Sequence, residues 1–192
     1  MSRRRSPASL DAVADAVRRG GVVAYPTEAV FGLGCDPFNA AAVQRIYRLK
    51  RRPTTQGFLL IAASEAQLDP FVDWARLAPE ALAEVRASWP GPHTWVLPRA
   101  ASAPAVVAGA HQGIAVRVTA HGPAAGLCRA AGGALVSTSA NRHGQPAARS
   151  VAELWQQFAG ADLDALLDLP LGGLERPTPI RDALSGRSLR GA

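Results

Sequence analysis

Lysine is almost absent from this 192-residue chain: Lys50 stands alone among twenty arginines. On a solvated surface the two residues are interchangeable, but a compact ammonium and a planar guanidinium fork do not fit the same built site. Lys50 is therefore either an incidental member of a charged helix end or a residue kept for its shape. Cysteine is scarce too. Cys35 and Cys128 are the only two, which excludes a disulfide framework and any CxxC zinc site. The four histidines (His93, His111, His121, His143) have no ligand spacing and no HExxH occurs, so no resident metal is expected. A G-x-x-x-x-G-K-[ST] loop is missing. Gly32-Leu33-Gly34 opens a dinucleotide fingerprint that Pro37 breaks off, and no G-x-S-x-G elbow marks a serine nucleophile. Long apolar runs are absent as well. The longest stretch free of charge, between Arg99 and Arg117, contains Pro104, His111 and Gln112 and is no membrane span. The basic N-terminus leads into Asp11 and Asp15 rather than an apolar signal core. A soluble, reduced, cytoplasmic protein without membrane contact is expected.

What is present is ordinary globular material, 48% hydrophobic and 19% charged. The length suits one domain spanning 1–192, with its core over about 10–190 and a basic extension over 1–8. The charge is uneven. Residues 1–52 carry ten basic groups against four acids, whereas the rest of the chain holds eleven of each, so the first quarter owns the entire net charge of +6. Its densest part is Arg45, Arg48, Lys50, Arg51 and Arg52. Such a cluster attracts nucleotide phosphates, pyrophosphate or RNA, or else it is a helix end that favours cations.

Helical and strand patterns alternate along the chain. Leu10–Arg19 has helical spacing behind a Ser9 cap, and Val22–Tyr25 reads as a buried strand stopped by Pro26. Asn39 caps a helix that runs into the basic cluster and must end before Pro53. Strands are expected at 58–61, 94–97, 114–118 and 134–136, helices at 78–87, 124–131 and 151–158, and short strands and turns in the tail. The Ala-, Ser- and Pro-rich segment 100–112 reads as a surface excursion. The expected fold class is α/β: a single-domain, twisted mixed sheet with helices on both faces.

Ligands in open α/β sheets collect at strand ends, and several polar loops follow these strands. Ser137-Thr138-Ser139-Ala140-Asn141 offers three hydroxyls and an amide, suited to anionic oxygens or to a polar turn that caps itself. Arg117, inside the apolar strand Ile114–Val118, must be paired: with a ligand's carboxylate or phosphate, or in an internal salt bridge. Thr27, in Tyr25-Pro26-Thr27-Glu28, either orients a small ligand or simply turns the chain. Cations and hydroxyls at strand ends, without a nucleophile or metal cage, suit electrostatic stabilisation of phosphoryl or nucleotidyl transfer.

The runs Ala24–Gly34, Leu49-Lys50-Arg51-Arg52-Pro53, Trp89–Thr94, Ala115–Val118, Ser137–Asn141 and Ile180-Arg181-Asp182 closely resemble the YrdC/TsaC family of threonylcarbamoyl-AMP synthases, in family order over about 10–190. The resemblance implies a YrdC-like sheet with a basic cavity on one face. It also implies a reaction, in which L-threonine, bicarbonate and ATP yield L-threonylcarbamoyladenylate and pyrophosphate. Partner proteins then carry the threonylcarbamoyl group to tRNA, so that the reaction is the first step of N6-threonylcarbamoyladenosine modification. By the same resemblance Lys50 and Arg52 are the catalytic pair at the ATP phosphates. Gln56, Ser139, Asn141 and Arg190 join that pair in binding ATP, and Thr27, Arg117, Ser137 and Thr178 bind L-threonine. Mg²⁺ bridges the ATP phosphates. Gln56 and Ile61 depart from the family pattern, which often has Lys or Asn at the first place and, in longer members, His at the second. The C-terminal domain of the longer branch is expected to be missing. Two other readings remain: a non-catalytic module binding double-stranded RNA or tRNA through the basic cluster, and a carbamoyl-transfer domain like those of hydrogenase maturation proteins.

Overall fold

A computed structural model describes residues 6–158 and 162–191; the basic run Arg3–Arg5 lies outside them. Capping chemistry sets the helix starts. Ser9 accepts from the backbone N–H of Ala12 at 3.3 Å to open α1 (Leu10–Arg18), and Asn39 accepts from Ala42 at 3.0 Å to open α2 (Ala40–Lys50). Pro79 and Pro123, whose missing N–H costs nothing in a first helical turn, start α3 (Pro79–Ala87) and α5 (Gly122–Ala131). A short α4 (Ala105–Ala108) precedes α5, and α6 (Val151–Gln157) begins at the N-cap Ser150, with Glu153 reaching back one residue beyond it. There Ser150 Oγ accepts from Glu153 N while Glu153 Oε2 accepts from Arg149 N.

The strands are β1 (Val23–Pro26), β2 (Phe31–Gly34), β3 (Leu59–Ala62), β4 (Thr94–Pro98), β5 (Gly113–Val118), β6 (Leu135–Ser139), β7 (Ala165–Leu166), β8 (Ile180–Asp182) and β9 (Ser188–Arg190). They form one mixed sheet in the order β7-β1-β2-β6-β3-β5-β4-β8-β9. The β1–β7, β3–β5 and β4–β8 pairs are parallel and the others antiparallel.

Because strand side chains alternate between faces, the sheet divides the core in two. Ala24, Phe31, Leu33, Leu60, Val116 and Val136 face one layer with Val43 and Ile46 of α2, Val107 of α4 and Leu154 of α6. Val23, Tyr25, Ile61 and Leu135 face the other, with Val13 and Val17 of α1 and Leu127 and Cys128 of α5. Burying each large aliphatic side chain contributes roughly 1.5–3 kcal/mol. The mixed sheet with helices on both faces is thus as expected.

Three local readings need correction. The strand β2 carried no strand signal of its own, since Gly32 and Gly34 supply no side chains. Gly34 is a glycine because Tyr25 crosses it from β1: a Cβ there would come within 2.7 Å of the Tyr25 ring and of the Val136 carbonyl, while at Gly32 the tight neighbour is Thr27 Cγ2 at 3.2 Å. Pro26 does not stop β1 but closes it, paired with Phe31. Segment 100–112 is not a surface excursion. Ala103, Val107 and Ala108 are buried, Phe58 N donates to Val107 O at 2.7 Å, and Ala110 N donates to Thr55 O at 3.0 Å.

Candidate anion-binding cavity

α1 and α5 cover only part of their sheet face. The rest is the floor of a cavity of about 690 Å³, built from Gly32, Ser137, Ser139, Leu59, Ala115, Arg117, Val96 and Asp182, which cross the sheet from β2 to β8. Such a volume lies in the range of small-molecule sites. Its walls come from the β1–β2 turn (Thr27, Ala29, Val30), from Arg52 and Phe58, from Ala108, His111 and Gln112, from Asn141 and from the Thr178 and Arg190 segments.

The end of α2 decides what reaches this wall. Arg52 N donates to Tyr47 O and Arg51 N to Arg48 O, the paired bonds of a Schellman turn, with Arg51 at φ +54° where glycine is usual. This reversal sends Arg52 to the cavity and Lys50 inward. Arg52 lies over the Phe58 ring at 5.1 Å, with Nε donating to Gln56 O at 3.2 Å and Nη2 to Gly57 O at 2.7 Å. Burial lowers its pKa from the ordinary arginine value. Gln56 contributes that carbonyl, while its exposed side chain is not part of the lining.

Lys50 is 4% exposed and does not line the cavity. Its ammonium donates to the Ser139 carbonyl, to Asn141 O at 2.8 Å and to Asn141 Oδ1 at 3.1 Å, and its own carbonyl accepts from His143 N. Three acceptors match the three hydrogens of an ammonium, and no carboxylate pairs with it among the described residues. Burial first, and the Arg52 charge second, bring its pKa down to about 7. Lys50 thereby fixes the turn after β6, in which Ser139 Oγ donates to Asn141 Oδ1 at 2.6 Å and Asn141 Nδ2 donates to Gln145 O. Ser139 and Asn141 both line the cavity.

Arg117 resolves the choice left open above in both directions: it lines the cavity and is internally paired. Its Nη2 meets Glu28 Oε2 at 3.0 Å, and Nη1 donates to Thr178 Oγ1 at 2.7 Å and Thr94 Oγ1 at 3.2 Å. Arg190 reaches the same corner, donating through Nε and Nη2 to Thr178 O; burial, then the Arg117 charge, lowers its pKa. Thr27 Oγ1 donates to Val30 O at 2.8 Å, tightening the β1–β2 turn. Of the residues singled out from sequence, Thr27, Arg52, Arg117, Ser137, Ser139, Asn141, Thr178 and Arg190 converge on one cavity, and Lys50 and Gln56 stand behind it. Glu28, Thr94 and Asp182 lie within the family-like runs but were given no role, and His111 and Gln112 carried no signal at all, because no local pattern marks a buried partner or a backbone-held wall. Among the described residues no three His, Cys, Asp or Glu side chains converge as metal ligands.

An open mixed sheet with a cavity on its half-covered face, bordered by Arg52, Arg117 and Arg190, is an α/β arrangement whose fixed positive charge suits anionic small molecules. The particular family follows from comparison. The profile of the Sua5/YciO/YrdC family, described as "Telomere recombination", matches residues 15–190, and the chain belongs to that family. It is 59% identical over 174 residues to a threonylcarbamoyl-AMP synthase of Halorhodospira halophila, covering 91% of this chain and 90% of the relative. It is 52% identical over 181 residues to that of Xanthomonas campestris, covering 94% and 96%. The solved structure of P. abyssi Sua5 complexed with L-threonine superposes with a TM-score of 0.83 at 30% identity, over 90% of this chain. The chain spans about half the length of that Sua5 protein (50%). A full-length HypF structure, at 18% identity and a TM-score of 0.75, shares the fold alone. Among the described residues no helix is long and apolar enough to cross a membrane.

Proposed function

We propose that this chain is a nucleotidyltransferase that condenses L-threonine, bicarbonate and ATP into L-threonylcarbamoyladenylate with release of pyrophosphate. The observation that carries the reading is the convergence of Arg52, Arg117 and Arg190 with the Ser139–Asn141 turn on one cavity. The relatives' shared name, threonylcarbamoyl-AMP synthase, supports it. Bicarbonate captures the threonine amine as a carbamate, with loss of water. A carbamate oxygen then bonds to the α-phosphorus of ATP as the bond to the β-phosphate oxygen breaks, and pyrophosphate leaves with that electron pair.

Fixed guanidinium charge near the phosphates stabilises such a transition state without a protein nucleophile. Arg52 and Arg190 are placed for the phosphates, and the hydroxyl and amide of Ser139 and Asn141 for the nucleotide. Arg117, with Thr27, Ser137 and Thr178 around it, is placed for threonine. Lys50 is a positioning residue that holds the Ser139–Asn141 turn. Mg²⁺ carried on the ATP phosphates would neutralise part of their charge, and Asp182, the carboxylate on the cavity lining, would be the protein group available to it. The product is a labile mixed anhydride, which tRNA-modifying partner proteins in the cytoplasm must consume.

Mass spectrometry of products formed from ATP, threonine and labelled bicarbonate tests the reading. A labelled adenylate together with threonine-dependent pyrophosphate is expected; its absence from folded protein supplied with Mg²⁺ would overturn it. The alternative of RNA binding without chemistry loses part of its basis, since Arg45 is spent on Asp164 Oδ2 at 2.5 Å and Asp162 O at 2.8 Å.

A further inference from the structure

We infer that Glu28 is a positioning residue for the amino-acid substrate: its two carboxylate oxygens hold Arg117 on one side and Thr119 on the other, and so aim the guanidinium at the cavity. The inference rests on the proposal that Arg117 meets threonine. Glu28 lies in the β1–β2 turn between two cavity residues, Thr27 and Ala29, without lining the cavity itself. It is 7% exposed, and Arg117 and Thr119 are more deeply buried still. Oε2 accepts from Arg117 Nη2 at 3.0 Å and Oε1 accepts from Thr119 Oγ1 at 2.6 Å. Thr119 Oγ1 in turn accepts from His121 N at 3.0 Å.

The backbone beneath Glu28 is also clamped. Its carbonyl accepts from Leu174 N at 2.9 Å and the Thr27 carbonyl from Gly172 N at 3.0 Å. A Cβ on Gly172 would stand 2.7 Å from Glu28 Cα, so glycine is what lets this segment close on the turn. The carboxylate therefore reaches Arg117 from a fixed base. On the other side Thr94 and Thr178 hold Nη1. Arg117 is thus bound at both terminal nitrogens, and its Nε is buried without a partner among the described residues. A buried ion pair adds little net stability over an apolar substitute. What this one supplies is an arginine plane set before the substrate arrives, which limits the ordering cost of binding.

The stereochemistry of the pair provides the test. Glu28 offers two acceptors, each taken by one donor. Glu28→Gln, equal in size, can still accept from Arg117 through its amide oxygen and donate to Thr119 Oγ1 through its amide nitrogen, so it removes the charge of the pair while keeping its shape. Glu28→Asp keeps both acceptors on a shorter stem. Thr119→Val leaves the Arg117 contact and removes the second anchor, from a residue outside the cavity lining. Steady-state pyrophosphate release, with threonine and ATP varied separately, reads the effect.

The threonine KM is expected to rise about tenfold in Glu28→Gln, the scale on which a bond between two charged groups weakens when one of them becomes neutral. The ATP KM should stay within about twofold. Thr119→Val should move the threonine KM the same way by about threefold, a fraction of that bond. Glu28→Asp should recover part of what Glu28→Gln loses. An unchanged threonine KM in both Glu28→Gln and Thr119→Val would overturn the inference. So would a fall, which would make Glu28 a competing anion, or an equal rise in both KM values, the mark of general loosening. If Glu28→Gln does not fold, Thr119→Val and Glu28→Asp decide alone. Wild-type protein lacking threonine-dependent turnover overturns the proposed function instead, and this inference with it; normal wild-type turnover with unaffected variants overturns the inference alone.

Discussion

The covered and uncovered parts of one sheet face are made by the same strands, two residues apart. On β3, Ile61 packs under α1 and α5 while Leu59 lines the cavity; on β6, Leu135 is core while Ser137 and Ser139 are floor. A strand places residues i and i+2 on one face, so core and site differ only in which end of the strand the helices cover. The site is rigid because its floor is the continuation of a close-packed layer. Without a helix over it, that floor keeps polar groups (Ser137, Ser139, Arg117 and Asp182) open to a ligand beside the apolar Leu59, Val96 and Ala115.

That contrast can be broken at either end. The largest effect is expected on the uncovered side, where Arg52→Ala should lower turnover by about 10²–10³-fold, the scale of removing one fixed transition-state donor. Its thermal midpoint should stay close to wild type, and pyrophosphate release beside a melting curve checks both. On the covered side, Leu135→Ala should do the reverse. Denaturant unfolding should show a loss of about 3 kcal/mol from the cavity left behind, with threonine and ATP KM values unchanged in the protein that remains folded.

A smaller and finer effect lies at the boundary, on Lys50. A pKa lowered to about 7 means that at pH 8 the amine is largely neutral and has two hydrogens for three acceptors. A phosphate arriving on the far side of the Ser139–Asn141 turn raises the pKa, so nucleotide binding at pH 8 should take up a fraction of a proton. Calorimetry in buffers of different ionisation enthalpy should show this uptake in wild type and its loss in Lys50→Met, together with a rise of about tenfold in ATP KM, equivalent to about 1.4 kcal/mol. For stability the sign is opposite. The unfolded chain binds this proton more tightly than the folded one, so the Lys50 contribution improves as pH rises from about 7 toward the free-lysine value of 10.5. A stability profile flat across that interval would contradict the burial argument.

Where sequence was sufficient, a local rule carried the information. Asn39 as a cap, the end of α2 before Pro53 and the polar turn after β6 are each settled within a few residues. What escaped depends on groups that sequence does not display. Lys50 is held by carbonyls, and the 105–112 wall is fastened by backbone bonds to Thr55 and Phe58. Arg117 finds its carboxylate 89 positions away, on Glu28. The arginines of the cavity were legible; the partners that aim them were not.

The Schellman turn at Arg51 has a further consequence. Lys50 and Arg52, separated by a single residue, occupy opposite compartments: one behind the Ser139–Asn141 turn, the other in the cavity. Most exposed turns absorb an inserted or deleted residue with little harm. Here a one-residue deletion ahead of the turn would bring Arg51 to the place where Lys50 has its three acceptors, and Pro53 to the place of Arg52. The spacing Lys-x-Arg is therefore an address as much as a motif, and this exposed turn is among the least editable surfaces of the molecule.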